Sequence, residues 1–122
     1  MLLSDIKEVI KAEVLTGESD EQLKAMDIHN ACGSDMMSDV LAFVKDQSLL
    51  LTGLVNLQVI RTAEMMDILA VCFVRGKTPP ENLIELAKEL GIVVLKTRYP
   101  MYTACGRLYG KGLEGRKDAE AL

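Results

Sequence analysis

The sequence of 122 residues lacks several features that mark whole classes of protein. It has three cysteines, no Cys-x-x-Cys pair and one histidine, so a structural zinc site would have too few ligands. No apolar run approaches the roughly 20 residues that cross a bilayer, and no signal peptide is recognisable. A net charge of −4 argues against binding to duplex nucleic acid. We therefore predict no metal, no membrane and no nucleic-acid partner.

The three cysteines indicate a reducing compartment. They are odd in number and lie in or beside apolar stretches, at Cys32, Cys72 and Cys105. This is the pattern of reduced interior thiols, so we expect the protein in the cytoplasm. The length suits one folded unit, which we place at residues 1–113, followed by a charged tail at 114–122.

Three short, unbroken apolar runs give the strongest fold signal. They cover residues 49–51, 68–74 and 92–95, and each is followed by a small polar or basic loop and then a helical pattern. Strands buried on both faces read as continuous apolar runs, and their alternation with helices is typical of crossover units in a parallel sheet. We predict an α/β fold, a three-layer α/β/α sandwich around a mostly parallel sheet of about five strands.

Local patterns predict the other elements. In the first half we expect a helix at 5–11, a strand at 13–16, a loop at 18–22 and a strand at 24–31. Ser34 or Asp35 should cap a helix with an apolar stripe at Met37, Val40, Leu41 and Val44. In the second half we expect helices after Asn56, Pro80 and Pro100, and a left-handed C-cap at Gly91.

Loops that follow parallel strands gather at one edge of a sheet, where ligands bind. That rule selects the polar and basic residues after each predicted strand as a ligand site. They are Ser34, Asp35, Thr52, Gly53, Asn56, Arg75, Gly76, Lys77, Thr97 and Arg98. With Lys96 they bring basic charge to an acidic protein, which favours a phosphate or carboxylate. The same residue types also cap helices and form turns without any ligand, and that alternative remains open.

Catalytic constellations are incomplete. Gly76-Lys77-Thr78 matches the end of a phosphate-binding loop, but the motif's first glycine would fall at Val71 inside a strand. Asp35 and Asp39 could bind Mg²⁺ or act as acid and base, although a helix dipole already accounts for Asp35. His29 has no nucleophile within reach apart from Cys32. We predict no catalytic residues, and a small enzyme using Asp35, Asp39 and His29 is the least favoured alternative.

Methionines offer a different kind of surface. In each of the pairs Met36-Met37 and Met65-Met66, one side chain should face the core while its neighbour, about 100° round the helix, need not. Met36 and Met65 are therefore candidates for contact with a protein partner, and partly buried packing is the equal alternative.

Residues 35–113 resemble the DRTGG domain family, which is related to the N-terminal domain of HPr serine kinase/phosphorylase. The resemblance lies in the segment 34–40, in Leu51-Thr52-Gly53 with Asn56, in residues 67–74 with Gly76, and in residues 91–112. Residues 24–31, where the namesake residues of the family should fall, do not reproduce them. The resemblance implies a compact α/β/α domain with a regulatory or dimerising role, without the separate phosphate-loop domain that performs catalysis in the kinase relatives.

These observations favour a non-catalytic, stand-alone regulatory domain. We expect it to form a homodimer and to bind a small anionic metabolite or nucleotide at the carboxyl edge of the sheet, with no cofactor. The alternative is a protein-interaction subunit that docks on a larger metabolic enzyme through its methionine-bearing helices.

Overall fold

A computed structural model describes residues 1–43 and 48–115 of the chain. Along the sequence the helices are α1 (Leu3–Val9), α2 (Asp20–Lys24), α3 (Met37–Phe43), α4 (Leu57–Met65), α5 (Glu81–Leu90) and α6 (Met101–Gly110). The strands are β1 (Glu13–Val14), β2 (Asn30–Gly33), β3 (Ser48–Thr52), β4 (Ala70–Phe73) and β5 (Val93–Lys96). None of the helices in the described ranges is long and apolar enough to span a bilayer.

The five strands form one sheet in the order β1-β5-β4-β3-β2. Strands β2 to β5 are parallel neighbours, and β1 pairs with β5 in the antiparallel sense. The predicted α/β class with a mostly parallel sheet is confirmed. The three apolar runs form β3, β4 and β5, because strands covered by helices on both sides need apolar residues at consecutive positions.

Alternate residues of each central strand enter two separate cores. On one face Leu51, Cys72 and Leu95 pack with α1, α2 and α6, and on the other face Leu50 and Val71 pack with α3, α4 and α5. The protein therefore has three layers, helices over sheet over helices. Because α5 follows β4 on one face and α6 follows β5 on the other, the chain leaves these two neighbouring strands in opposite directions. A crevice is expected where this happens at the carboxyl ends of parallel strands.

Several local predictions are confirmed. Asn56 caps α4 by accepting a hydrogen bond from the Val59 N–H, α6 begins after Pro100, and Gly91 ends α5 with φ +72°. Glycine reaches this left-handed region without the steric cost that a Cβ brings.

Two predictions in the first half are wrong. Residues 18–22 were expected to form a loop, but α2 begins there at Asp20, with Ser19 and Gln22 forming a reciprocal capping box. The strand predicted at 24–31 starts only at Asn30. Helix α2 runs to Lys24, and between the two elements Asp27 forms only an isolated bridge with Leu2. The Ser-x-x-Gln spacing of the capping box was the signal that could have identified the helix.

The stripe predicted for α3 is narrower than expected. Met37 and Val40 are buried, whereas Leu41 is 43% exposed, and Val44 lies outside the described residues. Helix α3 connects the edge strand β2 to β3. The side of α3 that carries Leu41 therefore extends past the edge of the sheet, where no strand of the described residues covers it. At the other end of the chain, Leu113 is buried and the Glu114 carbonyl accepts a hydrogen bond from the Ala31 N–H at 3.0 Å. The rest of the predicted tail, from 116 onward, lies outside the described residues.

Candidate functional site

The loops after β2, β3, β4 and β5 lie along one edge of the sheet. The strand register aligns Gly33 with Leu51, Leu51 with Cys72, and Cys72 with Leu95, so the four loops begin at similar heights. The predicted site residues are thus brought to a common edge, as expected for parallel strands. Binding of a ligand by these residues stays a prediction.

Asp35 connects the first two of these loops. Its Oδ1 accepts a hydrogen bond from the Gly53 N–H at 2.6 Å and another from the Thr52 hydroxyl at 3.2 Å. The prediction that Asp35 caps α3 is therefore wrong: the helix begins two residues later, and the carboxylate satisfies the loop after β3 instead. Ser34 supports the turn, because its Oγ accepts a hydrogen bond from the Met36 N–H at 3.0 Å.

Two cations of the loop after β4 are also engaged at Gly53. Lys77 Nζ donates a hydrogen bond to the Gly53 carbonyl at 2.7 Å. The Arg75 guanidinium lies so close over Gly53 that a Cβ there would overlap it, and its Nη2 is 4.0 Å from Asp35 Oδ2. In this half of the edge, opposite charges and backbone groups satisfy one another. An anion binding here would have to compete with Asp35.

The other half of the edge, at the end of β5, is arranged differently. Buried Thr97 donates its hydroxyl hydrogen to the Ile10 carbonyl at 2.6 Å and accepts a hydrogen bond from the Tyr99 N–H at 3.2 Å. Lys96 Nζ donates to the Thr78 hydroxyl at 2.8 Å. Within the described ranges, the Arg98 side chain has no hydrogen bond or ion pair.

An open cavity of about 310 Å³ lies beside this loop. It is lined by Ile10, Lys11, Glu13, Lys96, Thr97, Arg98 and Tyr99. Three cations thus face one carboxylate in a protein that is acidic as a whole. We call this group of seven residues the β5 cavity.

The β5 cavity includes residues that the sequence reasoning did not select. Lys11 and Glu13 come from the turn after α1 and from β1, and Tyr99 follows Arg98. The antiparallel pairing of Glu13 with Lys96 brings the first two to the end of β5. The Arg107 guanidinium carbon also lies 4.6 Å from the centroid of the Tyr99 ring, which holds the ring against α6.

The remaining predicted site residues have structural partners. Asn56 Oδ1 is used in capping α4. Gly76 has φ +69° and donates its N–H to the Thr97 carbonyl at 2.9 Å, while the Arg75 N–H donates to the Tyr99 carbonyl at 2.9 Å. These two bonds join the loops after β4 and β5 across the crevice.

Two residues of the enzyme alternative, His29 and Asp35, do not come together. His29 precedes β2, where its Nε2 lies 3.4 Å from Asp27 Oδ2, whereas Asp35 follows β2 at the opposite end of the strand. At about 3.3 Å per residue, the strand separates them by more than hydrogen-bond reach. In the ranges 1–43 and 48–115, no group of three or more His, Cys, Asp or Glu residues could hold a metal ion.

The cysteines are free thiols in environments that disfavour the thiolate. Burial raises the pKa of Cys72 to about 12, and burial also raises the pKa of Cys32 and of Cys105. Because the thiolate is the nucleophilic form, none of the three has the electrostatics of an activated cysteine.

Comparison with known proteins gives one family and a related structure. The family model described as the DRTGG domain matches residues 5–110. The fold is similar to the crystal structure of the CBS and DRTGG domains of the regulatory region of Clostridium perfringens pyrophosphatase, complexed with its activator diadenosine tetraphosphate. The TM-score is 0.68 at 19% sequence identity, over 88% of this chain and 45% of that one, so the chain spans less than half of that relative. No curated protein matches the sequence.

Proposed function

The chain belongs to the DRTGG domain family, and we propose that it is a non-catalytic regulatory domain that binds a small anionic metabolite or nucleotide at the carboxyl edge of its sheet. One observation carries this proposal above the others. Cations of the loop after β5 border an open cavity of about 310 Å³, although the protein has a net charge of −4. Clefts in which one sign of charge predominates, as the three cations do here over Glu13, concentrate ligands of the opposite sign.

The position of the cavity in the fold supports a ligand site. Ligands of open α/β sheets gather outside the carboxyl ends of strands, where neighbouring connections leave in opposite directions. Here that place is at the carboxyl ends of β4, which leads to α5, and β5, which leads to α6, and the β5 cavity adjoins it on the β1 side of β5. The basic loops at this edge are Arg75 to Thr78 and Lys96 to Arg98.

The similar structure supports the ligand class. That protein is the regulatory region of a pyrophosphatase and is bound to a nucleotide activator. A regulatory role and a nucleotide or related phosphorylated ligand are therefore the first hypotheses for this chain. The separation of His29 from Asp35, and the raised pKa of each cysteine thiol, support the non-catalytic part of the proposal.

Isothermal titration calorimetry with ATP, ADP, AMP, diadenosine tetraphosphate and small phosphorylated metabolites tests the proposal. We expect saturable binding of at least one of these compounds, weakened by added salt because the attraction is electrostatic. The matched control is the same titration with the uncharged nucleoside adenosine. Absence of heat across the whole panel, with the protein shown to be folded, would reject ligand binding.

The proposal includes a homodimer in the cytoplasm. Light scattering coupled to size-exclusion chromatography measures the assembly directly. A mass of one chain at all accessible concentrations would remove the dimer from the proposal without affecting ligand binding.

A second candidate function is docking on a larger enzyme through the methionines. Met36 is 60% exposed and Met65 is 69% exposed, whereas their neighbours Met37 and Met66 are buried and half-buried. Flexible thioethers suit adaptable contact surfaces. The double variant Met36→Glu, Met65→Glu should lose a co-purifying partner enzyme, with Glu81→Gln on the first turn of α5 as a surface control. Unchanged co-purification of the methionine variant would exclude this surface.

A further inference from the structure

The β5 cavity has the charge and the rigidity of a site for one phosphate group. Building on the proposed function, we infer that Lys11 and Arg98 hold a phosphate group there and that Lys96 adds a third positive charge. This places the ligand at the β1–β5 end of the sheet edge and not at the Asp35–Gly53 end.

Lys11 and Arg98 are available for a ligand. Both side chains are exposed, and within residues 1–43 and 48–115 neither has a side-chain hydrogen bond or an ion pair. Arg75 and Lys77, in contrast, are engaged by Asp35 and by the Gly53 carbonyl. Ligand binding at Lys11 and Arg98 would break no bond of the described protein, whereas binding at Arg75 and Lys77 would.

The walls of the β5 cavity are fixed before any ligand arrives. Thr97 joins them, because its hydroxyl is hydrogen-bonded both to Ile10, which caps the C-terminus of α1, and to Tyr99 in the loop after β5. The loop after β5 is also bonded to the loop after β4 through Arg75 and Gly76. A cavity formed by buried hydrogen bonds loses little conformational entropy on binding, so more of the electrostatic attraction appears as affinity.

The backbone of Lys11 fixes this residue at the rim. Lys11 has φ +50°, a left-handed conformation that is uncommon for a residue with a side chain. It is kept there because the Ala12 N–H donates to the Lys7 carbonyl at 2.9 Å, which closes the end of α1. The turn carries the chain from α1 directly into β1, and so brings a lysine instead of the more usual glycine to the rim of the cavity that Arg98 also lines.

The size and charge of the cavity define the ligand class. At about 310 Å³ it lies at the lower end of the roughly 300–1,000 Å³ that is usual for small-molecule sites. Three cations against Glu13 leave an excess of positive charge that suits a dianion better than a single carboxylate. The site therefore fits a phosphate monoester, either a small phosphorylated metabolite or the phosphate of a mononucleotide.

Titration of the ¹⁵N-labelled protein with inorganic phosphate, followed by NMR, tests the inference. We expect the amide signals of Lys11, Thr97, Arg98 and Tyr99 to shift, and acetate at equal ionic strength to move them less. The variant Lys11→Ala, Arg98→Ala should weaken phosphate binding by about tenfold, as expected for loss of two charge-assisted contacts. The control variant Arg61→Ala, Lys88→Ala removes the same charge from exposed positions of α4 and α5 and should bind like the parent protein.

The outcomes separate this inference from the proposed function. Phosphate or nucleotide binding that shifts Gly53, Arg75 and Lys77 instead, or that survives Lys11→Ala, Arg98→Ala unchanged, would overturn the β5 cavity as the phosphate site while leaving ligand binding at the sheet edge intact. If neither phosphate nor any nucleotide binds, both the phosphate site in the β5 cavity and the proposed ligand-binding function are rejected. Equal thermal midpoints for the two double variants would show that any loss of binding is not a loss of folding.

Discussion

The Asp35 carboxylate accepts the Gly53 N–H at 2.6 Å and so ties the loop after β2 to the loop after β3. The contact does two things at once. It satisfies a backbone donor at the end of a fully buried strand, and it places negative charge beside Arg75, 4.0 Å away. The edge of the sheet is thereby divided into two halves. At Asp35 the charges satisfy one another, whereas at the β5 cavity Lys11 and Arg98 have no side-chain partner within the described residues.

Removal of this carboxylate should destabilise the protein. Hydrogen bonds to charged groups contribute about 1.5–3 kcal/mol, and Asp35 is half exposed, so we expect Asp35→Ala to lower the free energy of unfolding by about 1–2 kcal/mol. Asp39→Ala, on the exposed first turn of α3, is the control and should cost about 0.5 kcal/mol through the helix dipole. Urea denaturation measures both. Equal losses for the two variants would contradict the role assigned to the Asp35–Gly53 bond.

A side chain at Gly33 should destabilise the protein. A Cβ there would lie 2.8 Å from Cys105 Sγ and 3.1 Å from Met101 Sδ, because α6 packs directly on β2. We expect Gly33→Ala to lower the free energy of unfolding by about 1–3 kcal/mol through overpacking. Gly106→Ala is the matched control, since its Cβ would meet nothing within 4 Å, and it should raise stability by up to about 1 kcal/mol as a helix-interior glycine is replaced. Thermal denaturation of both variants would show opposite signs if this packing is correct.

Glu13 should oppose anion binding in the β5 cavity. It contributes the one carboxylate among the lining residues, so Glu13→Gln should tighten phosphate binding by about threefold, the size expected for an exposed charge. The control variant is Glu89→Gln, which removes the same charge from the last turn of α5, at the amino end of the strands. It should leave the affinity unchanged. The two dissociation constants can be taken from the same NMR titration. A weaker or unaltered affinity for Glu13→Gln would count against the cavity.

Stability should fall at high pH through Cys72. Burial raises the pKa of this thiol from 9.0 to about 12, so the unfolded chain ionises first as the pH rises. The contribution of the buried, neutral Cys72 thiol to the free energy of unfolding is fully present below pH 9 and is lost progressively between pH 9 and 12. The thermal midpoint of the parent protein should therefore fall more steeply above pH 9 than that of Cys72→Ala, which lacks the group. Parallel curves for the two proteins would refute this assignment.

The same burial should protect Cys72 from alkylation. Its thiolate is disfavoured at pH 8 and its side chain is fully buried, so its reaction with iodoacetamide should be slower than that of half-buried Cys32 and Cys105. Peptide mapping after a timed reaction gives the order directly. Labelling of Cys72 ahead of the other two would show that the core opens more readily than its packing indicates.

The sequence by itself determined the layers of this protein. Residues 49–51, 68–74 and 92–95 are apolar without interruption because β3, β4 and β5 are covered on both faces, and that requirement acts on each strand separately. The helix caps at Asn56 and Gly91 are equally local. The elements before β3 were predicted less well, because short helices and edge strands carry few periodic residues, as the missed α2 shows.

Only the tertiary structure decided which charges at the sheet edge are available. Arg75 and Arg98 look alike in the sequence, but one lies over Gly53 beside Asp35 while the other borders the β5 cavity. One hydrogen bond that forms this cavity joins Thr97 to Ile10, 87 positions earlier in the sequence, and it lies beside the antiparallel pairing of β5 with the two-residue edge strand β1. Periodicity along the chain reports burial of each element, whereas the neutralisation of a charge depends on partners that are distant in sequence.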